Sequence, residues 1–207
     1  MPLSEDVKKI AEQVTDLHRP RKSDLQDLVI RRQPRPYRFH DDGQTPNHPR
    51  WPLIWYRAAV RLEAPFDPAA IFEELFAANG WRGSWRDGVY DFLHLHTHSH
   101  EVLGIARGTA RVRFGSAKGR AFALKAGDVV ILPAGTGHRR LAKSRDLLVV
   151  GAYPTSSGQY DEPAPRELDP AASRMAIARV KLPAKDPVYG RTGPLPNLWR
   201  PANGGRD

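Results

Sequence analysis

Four histidines and a glutamate lie close together in the segment HLHTHSHE, residues 94–101. In a β-strand, residues i and i+2 project from the same face, so the side chains of His94 and His96 would point to one side of a sheet. Two imidazoles on one face can chelate a single metal ion. The carboxylate of Glu101 could join them if the strand bends after His96, whereas His100 could do so only if the strand ran straight on. The segment therefore predicts part of a metal site.

A histidine farther along the chain could supply a third imidazole. Residues 127–138, GDVVILPAGTGH, have the pattern of a glycine turn, an apolar strand, a Pro-Ala-Gly turn and then His138. A strand followed by a tight turn can return this histidine to the face that carries His94 and His96. Three imidazoles and a carboxylate suit one divalent ion of zinc, iron, manganese, nickel or cobalt. The predicted ligands are His94, His96, Glu101 and His138, with His100 as the alternative to Glu101.

Proline and glycine divide the chain into a glycine-rich centre and two proline-rich arms. Nine of the 19 prolines lie in residues 1–68 and nine in residues 154–207, whereas 11 of the 17 glycines lie between Gly80 and Gly151. Proline is scarce inside sheets, and glycine permits the tight turns between short strands. The centre therefore favours an antiparallel sandwich or barrel. Its predicted strands are VYDFLHLH, EVLGIAR, TARVRF, AFALK, VVIL and LLVVGAY.

Helical patterns lie outside this centre. Residues 4–17 place apolar side chains at helical spacing, and the stretch from Asp67 to Gly80 has the cap, the first-turn proline and the terminal glycine of a second helix. In the C-terminal arm, the aromatic side chains of Tyr189 and Trp199 are expected to hold the arm against the barrel.

Composition excludes several classes of protein. The 207 residues include no cysteine, which excludes a disulfide scaffold, a thiolate metal site and a cysteine nucleophile. No apolar run approaches the ~20 residues of a membrane helix, and the charged N-terminus does not resemble a secretory signal, so we expect a cytoplasmic protein without a membrane partner. The net charge is +9, but no nucleic-acid-binding motif accompanies it, so no nucleic acid is expected.

Both histidine segments resemble the sequence motifs of the cupins. The first motif is matched in full, and the second lacks only its final asparagine, in whose place Ala142 stands. Further stretches, including DDGQTPNHP, GWRGSWRDGVYDF and GPLPNLW, resemble the small bacterial YjlB-type cupins over roughly residues 40–200. The resemblance implies a single jelly-roll barrel, also called a double-stranded β-helix, with a metal-competent site. The matched motif positions are Gly88, His94, His96, Glu101 and Gly108, then Gly127, Pro133, Gly135 and His138.

We therefore predict a mainly β fold with one cupin barrel, flanking arms and one or two short helices. Several predicted strands are apolar on both faces, so the outer face must be covered by the arms, by a second subunit or by both. A homodimer is expected on this ground. The predicted divisions are an N-terminal arm with a short helix (1–45), a leading strand and helix packed on the barrel (46–87), the barrel core (88–153) and a proline-rich C-terminal arm (154–207).

Cupins similar to this chain include dioxygenases, decarboxylases, sugar-phosphate isomerases and epimerases. The resemblance therefore implies a mononuclear metalloenzyme acting on a small anionic molecule. The alternative is a metal-dependent protein that binds a small molecule without turnover, because the sequence identifies no acid–base pair. Tyr90 shares the parity of His94 and is the candidate proton donor. Arg107 follows Glu101 by six residues and is the candidate for binding an anionic group, provided that the strand stays regular.

Overall fold

Nine strands in two antiparallel sheets form the barrel in the computed structural model, which describes residues 17–158 and 160–200. The strands are β1 (Arg35–Tyr37), β2 (Leu53–Tyr56), β3 (Trp81–Asp87), β4 (Glu101–Arg107), β5 (Thr109–Gly115), β6 (Arg120–Lys125), β7 (Val129–Leu132), β8 (Gly137–Lys143) and β9 (Leu148–Pro154). One sheet has the order β1-β2-β7-β4-β9-β3 and the other the order β6-β5-β8. The prediction of a mainly β jelly-roll with short helices is confirmed.

Short helices connect and cover the sheets. Helix α2 (Pro68–Ala78) begins and ends where the sequence predicts: the Asp67 carboxylate accepts a hydrogen bond from the Ala69 amide at 3.1 Å, and the helix stops before Asn79. The predicted helix over residues 4–17 lies outside the described residues, except for its last position. No helix in residues 17–158 and 160–200 is long and apolar enough to cross a bilayer. The helices are α1 (Leu25–Leu28), α2 (Pro68–Ala78), α3 (Pro170–Arg179) and α4 (Leu195–Leu198), with a 3₁₀ turn at Pro165–Glu167.

Two apolar layers result from strands that are buried on both faces. The inner layer fills the space between the sheets, where Leu103 and Ile105 of β4 meet Phe114 of β5. The outer layer lies on the other face of the six-stranded sheet, which helix α2 and the C-terminal arm cover. The chain therefore covers this face with its own residues, and the homodimer stays a prediction. The outer layer includes Ile71, Phe72, Phe76, Val102, Ala106, Val188, Leu195 and Trp199.

Aromatic side chains hold the C-terminal arm against the barrel, as the sequence predicts. Trp199 is fully buried, and its indole nitrogen donates to the Pro52 carbonyl at 2.9 Å. The Tyr189 hydroxyl donates to the Ile30 carbonyl at 3.0 Å. These bonds join the arm to the segments before β1 and β2.

An ion-pair network joins helix α2 to β3. The guanidinium of Arg86 contacts both carboxylate oxygens of Glu73 at 2.8 Å and one of Asp67 at 2.7 Å. Arg19 reaches the same Glu73 carboxylate at 2.5 Å. Glu73 is buried, and a buried carboxylate needs such partners to remain charged. The pairs therefore fix β3, which carries part of the cavity wall described below.

The structure differs from the sequence prediction on either side of Gly88. Residues 89–96, predicted as a strand, are irregular and contribute only an isolated bridge between His94 and His138. The preceding Trp81–Asp87 forms β3, which was not predicted because its glycine and its three charged residues interrupt any apolar alternation. Pairing with β9 supplies its order instead, across an irregularity in register.

Gly104, in the middle of β4, gives a direct test of the outer layer. A Cβ atom there would lie 2.4 Å from Cδ1 of Phe72, whose ring is fully buried. We expect Gly104→Ala to lower the free energy of unfolding by about 1–3 kcal/mol in denaturant titrations, because the ring cannot move aside freely. Gly88→Ala is the control, since its Cβ would meet nothing closer than 4.0 Å. Equal stability of the two variants would contradict this packing.

Candidate metal centre

Backbone hydrogen bonds bring the two histidine segments together. The amide of His94 donates to the carbonyl of His138 at 3.2 Å, and the amide of His138 donates to the carbonyl of His94 at 2.9 Å. Two residues away, the Gly135 amide donates to the His96 carbonyl at 2.7 Å. This pairing places the imidazole rings of His94 and His138 with their centroids 4.0 Å apart. The segment therefore positions its histidines without forming a regular strand.

The three imidazoles of His94, His96 and His138 are buried and converge. One ring nitrogen from each lies within 4.8 Å of the other two. In every ring Nδ1 faces a backbone carbonyl, which can only accept a hydrogen bond, so Nδ1 carries a proton and Nε2 is the nitrogen directed into the cluster. A metal ion bound at Nε2 would replace any proton that this nitrogen donates to Glu101 and would leave Nδ1 protonated. The accepting carbonyls are those of Phe92 for His94 (3.2 Å), Asp161 for His96 and Thr136 for His138 (3.0 Å).

Glu101, the first residue of β4, directs its carboxylate into the same cluster. Its Oε2 atom lies 3.2 Å from Nε2 of His96 and 3.3 Å from Nε2 of His138. Burial alone would raise the pKa of Glu101, but attraction and hydrogen bonding to these two imidazoles hold its pKa well below the usual range. Burial, with repulsion from His138, lowers the pKa of His94 to about 3. The centre therefore combines an ionised carboxylate with a neutral imidazole at neutral pH.

The other carboxylate oxygen of Glu101 has a partner of its own. The Tyr153 hydroxyl donates to Oε1 of Glu101 at 3.1 Å and accepts from the indole nitrogen of Trp85 at 2.8 Å. Trp85 packs directly over Gly151, where a Cβ atom would lie 2.1 Å from the indole ring. The glycine therefore admits the tryptophan that orients the tyrosine, which in turn leaves only Oε2 free to face the imidazoles.

A cavity of 640 Å³ opens beside the histidines. Tyr90 lies in its wall, although the strand on which its predicted parity depends is not formed, and the ring centroids of Tyr90 and His94 are 5.0 Å apart. Tyr90 is 43% exposed, and its hydroxyl lies 3.5 Å from a carboxylate oxygen of Glu162. The cavity walls also include Trp85, Val89, Leu103, Tyr153 and Tyr160.

Two of the predicted site residues lie elsewhere. His100 is fully buried on the other side of the chain from the cluster, where its ring packs 4.9 Å from that of Trp199 and its Nδ1 accepts from the Ala134 amide at 2.8 Å. Arg107 is exposed at the far end of β4, beyond an irregularity in its pairing with β9. Six residues of strand from Glu101 correspond to about 20 Å, so Arg107 does not reach the cavity.

The chain is similar to a bacterial protein over most of its length. Over 172 residues the chain is 38% identical to "Uncharacterized protein YjlB" of Bacillus subtilis (strain 168), and the match covers 82% of this chain and 99% of that protein. The chain belongs to the YjlB family of cupins. No protein-family model matches the sequence.

Solved structures overlap with this YjlB-family cupin over part of its length. Acireductone dioxygenase from Bacillus anthracis, with a cadmium ion in its active centre, has a TM-score of 0.31 and 16% identity, covering 44% of this chain and 61% of that one. Oxalate decarboxylase from Bacillus subtilis has a TM-score of 0.32 and 19% identity, covering 55% and 28%. A DMSP lyase structure has a TM-score of 0.31 and 18% identity, covering 39% and 40%. Each match thus spans less than two thirds of the other chain.

A short stretch of the C-terminal arm also contacts the centre of this YjlB-family cupin, which the sequence did not indicate. The backbone carbonyl of Asp161 contacts Nδ1 of His96. The carboxylate of Asp161 accepts hydrogen bonds from the Thr97 amide at 2.9 Å and from the Thr97 hydroxyl at 2.5 Å. It also accepts from the His98 amide at 3.2 Å. A carbonyl contact has no side-chain signature, so only the neighbouring carboxylate of Asp161 could have drawn attention to this residue.

Asp161→Ala tests whether the arm positions His96. The variant loses the bonds to Thr97 that hold the arm carbonyl against the imidazole. We expect affinity for divalent zinc or cobalt, measured by competition with a chelator, to fall about 10–100-fold, as for other supports of metal ligands. Asp169→Ala is the matched control, because this aspartate caps α3 in the same arm at 2.7 Å from the Ala172 amide. Unchanged affinity in Asp161→Ala would refute the positioning role.

Proposed function

We propose that this cupin is a mononuclear metalloenzyme that converts a small molecule bound beside the metal. The proposed ligands are Nε2 of His94, His96 and His138 and one carboxylate oxygen of Glu101. The observation that supports this set is the shared orientation of the three rings, each with Nδ1 on a carbonyl and Nε2 directed into the cluster. Nε2 of His96 and Nε2 of His138 both lie within 3.3 Å of one Glu101 oxygen, so imidazole and carboxylate donors converge on one point.

The donor set fits a divalent transition metal. Three imidazole nitrogens and one carboxylate oxygen suit zinc, iron, manganese, nickel or cobalt, and the absence of cysteine removes the thiolate that would favour softer ions. Burying the Glu101 carboxylate is costly without a compensating positive charge, which a metal ion would supply. Such an ion would supply Lewis acidity or, if it is iron or manganese, oxygen activation. We expect one ion per chain.

The cavity walls suit a small substrate next to the ion. The cavity is large enough for a molecule of several heavy atoms and borders all four proposed ligands. Burial and the neighbouring Glu162 raise the pKa of both Tyr90 and Tyr160, so the two phenols stay protonated at neutral pH. We propose that Tyr90 donates a hydrogen bond or a proton to the substrate. A substrate carboxylate or hydroxy-carbonyl group would supply oxygen donors toward the metal.

Metal content of matched histidine variants tests the ligand set. Purified wild-type protein is expected to contain or take up about one divalent ion per chain by elemental analysis, and His96→Ala is expected to lose it. His100→Ala is the control, since it removes a buried histidine from the same segment that faces away from the centre. Glu101→Gln should weaken binding more than His100→Ala does. Circular dichroism establishes that each variant is folded. Full occupancy in folded His96→Ala would refute the ligand set.

Turnover is tested separately from metal binding. Metal-loaded protein is incubated with a panel of small organic acids while oxygen uptake and product formation are followed. Oxygen uptake with iron or manganese would assign an oxygenase, and product without uptake would assign a decarboxylase or isomerase. Binding of acids without conversion of any of them would overturn the enzymatic proposal in favour of the metal-dependent binding protein.

A further inference from the structure

The mouth of the cavity carries an unusual share of exposed aromatic surface. Among residues 17–158 and 160–200, the large hydrophobic side chains that are exposed are Tyr90, Phe92, Tyr160 and Met175. The first three surround this one opening. Tyr90 and Tyr160 line the cavity, and Phe92 stacks on Tyr90 with ring centroids 4.8 Å apart. A cluster of exposed aromatic rings at a cavity is typical of an interaction surface, whereas scattered single exposed rings are common on any protein surface.

A carboxylate lies between the rings. Glu162 accepts from the Tyr90 hydroxyl at 3.5 Å with one oxygen and from the Tyr160 hydroxyl with the other. Asp87 also lines the cavity. Both phenols direct their protons to Glu162, and Tyr90, Phe92 and Tyr160 are each 43–48% exposed, so the mouth combines exposed aromatic surface with negative charge.

Arg86 in the cavity wall and Arg140, which contacts the neighbouring Val89, are already paired. Arg86 is the one lysine or arginine lining the cavity in the described part of the chain, and its guanidinium is bound by Glu73 and Asp67. Arg140 donates to the Val89 carbonyl at 2.9 Å and lies 3.6 Å from a carboxylate oxygen of Asp91. Neither arginine therefore offers a free cation to an incoming anion at the mouth.

We propose that the mouth binds an organic cation through the rings of Tyr90, Phe92 and Tyr160 and the charge of Glu162. Ring faces attract ammonium groups, and aromatic clusters recognise quaternary ammonium ligands in this way. Two of these rings are in contact with proposed ligands. The ring centroid of Tyr90 is 5.0 Å from that of His94, and the ring centroid of Tyr160 is 5.1 Å from that of His96. This inference rests on the proposed function: the substrate is a small zwitterion whose oxygen donors point toward the metal and whose cationic group lies at the mouth.

Three probes of one shape separate charge from size. Choline is positive, 3,3-dimethylbutan-1-ol is its neutral isostere, and 3,3-dimethylbutanoate is a negative analogue. Their dissociation constants are measured by calorimetry with metal-loaded and with chelator-treated protein. Choline is expected to bind about tenfold more tightly than the neutral isostere. Its binding should weaken as the salt concentration rises, whereas that of the isostere should not.

Variants locate the effect. Glu162→Gln keeps the hydrogen-bonding shape but removes the charge, and Phe92→Leu keeps apolar bulk but removes a ring. Each is expected to reduce the preference for choline over the isostere by threefold or more. The control is Glu63→Gln, which removes a charge from an exposed carboxylate before α2.

The outcomes separate this proposal from the metal site. Equal binding of choline and its isostere, tighter binding of the anion than of choline to chelator-treated protein, or no measurable choline binding would overturn the cation site. So would a preference that survives both Glu162→Gln and Phe92→Leu. If the preference holds in chelator-treated protein while no metal can be loaded, the cation site stands and the proposed function fails. If metal loads stoichiometrically but the protein shows no preference for choline over the isostere, the proposed function stands and the cation site fails.

Discussion

The centre depends on the backbone pairing between His94 and His138. Two reciprocal hydrogen bonds, with a third from Gly135 to His96, hold an irregular segment against the start of β8. Because these hydrogen bonds fix the register between the two segments, they decide which side chains face inward. The carbonyl on each Nδ1 then decides that Nε2 is the nitrogen that faces the cluster. Hydrogen bonds between backbone groups, and from ring nitrogens to backbone carbonyls, therefore position the three imidazoles without a metal ion.

Spacing alone predicts much of this arrangement, and its failures have physical causes. The histidines and Glu101 could be found because motif spacing encodes the turn that brings β8 to them. Tyr153 and Trp85 could not be assigned, because their contact depends on the space above Gly151, which only the fold reveals. Arg107 was placed by strand parity, which gives the face of a residue but not its distance along the barrel. The strand predicted at 89–96 failed because tertiary pairing, not alternation, orders that segment.

The two apolar layers connect the centre to the rest of the chain. Strand β4 has Leu103 on the inner layer and Val102 on the outer one, and helix α2 packs on the latter. The ion pairs of Glu73 then extend from that helix to Arg86 on β3, in the cavity wall. Loss of order in α2 would therefore be transmitted to the cavity through charged as well as apolar contacts.

The segment 160–163 has a consequence for how this protein can change over evolutionary time. Within four residues it carries the Tyr160 ring and the Glu162 carboxylate at the mouth, the Asp161 carbonyl on His96 and the Pro163 carbonyl on the Leu95 amide. Mutations that adapt the mouth to a new ligand alter the same stretch of backbone that supports an imidazole. Under the two proposals above, ligand preference and metal retention would depend on the same four residues of backbone, so a change in one would alter the other.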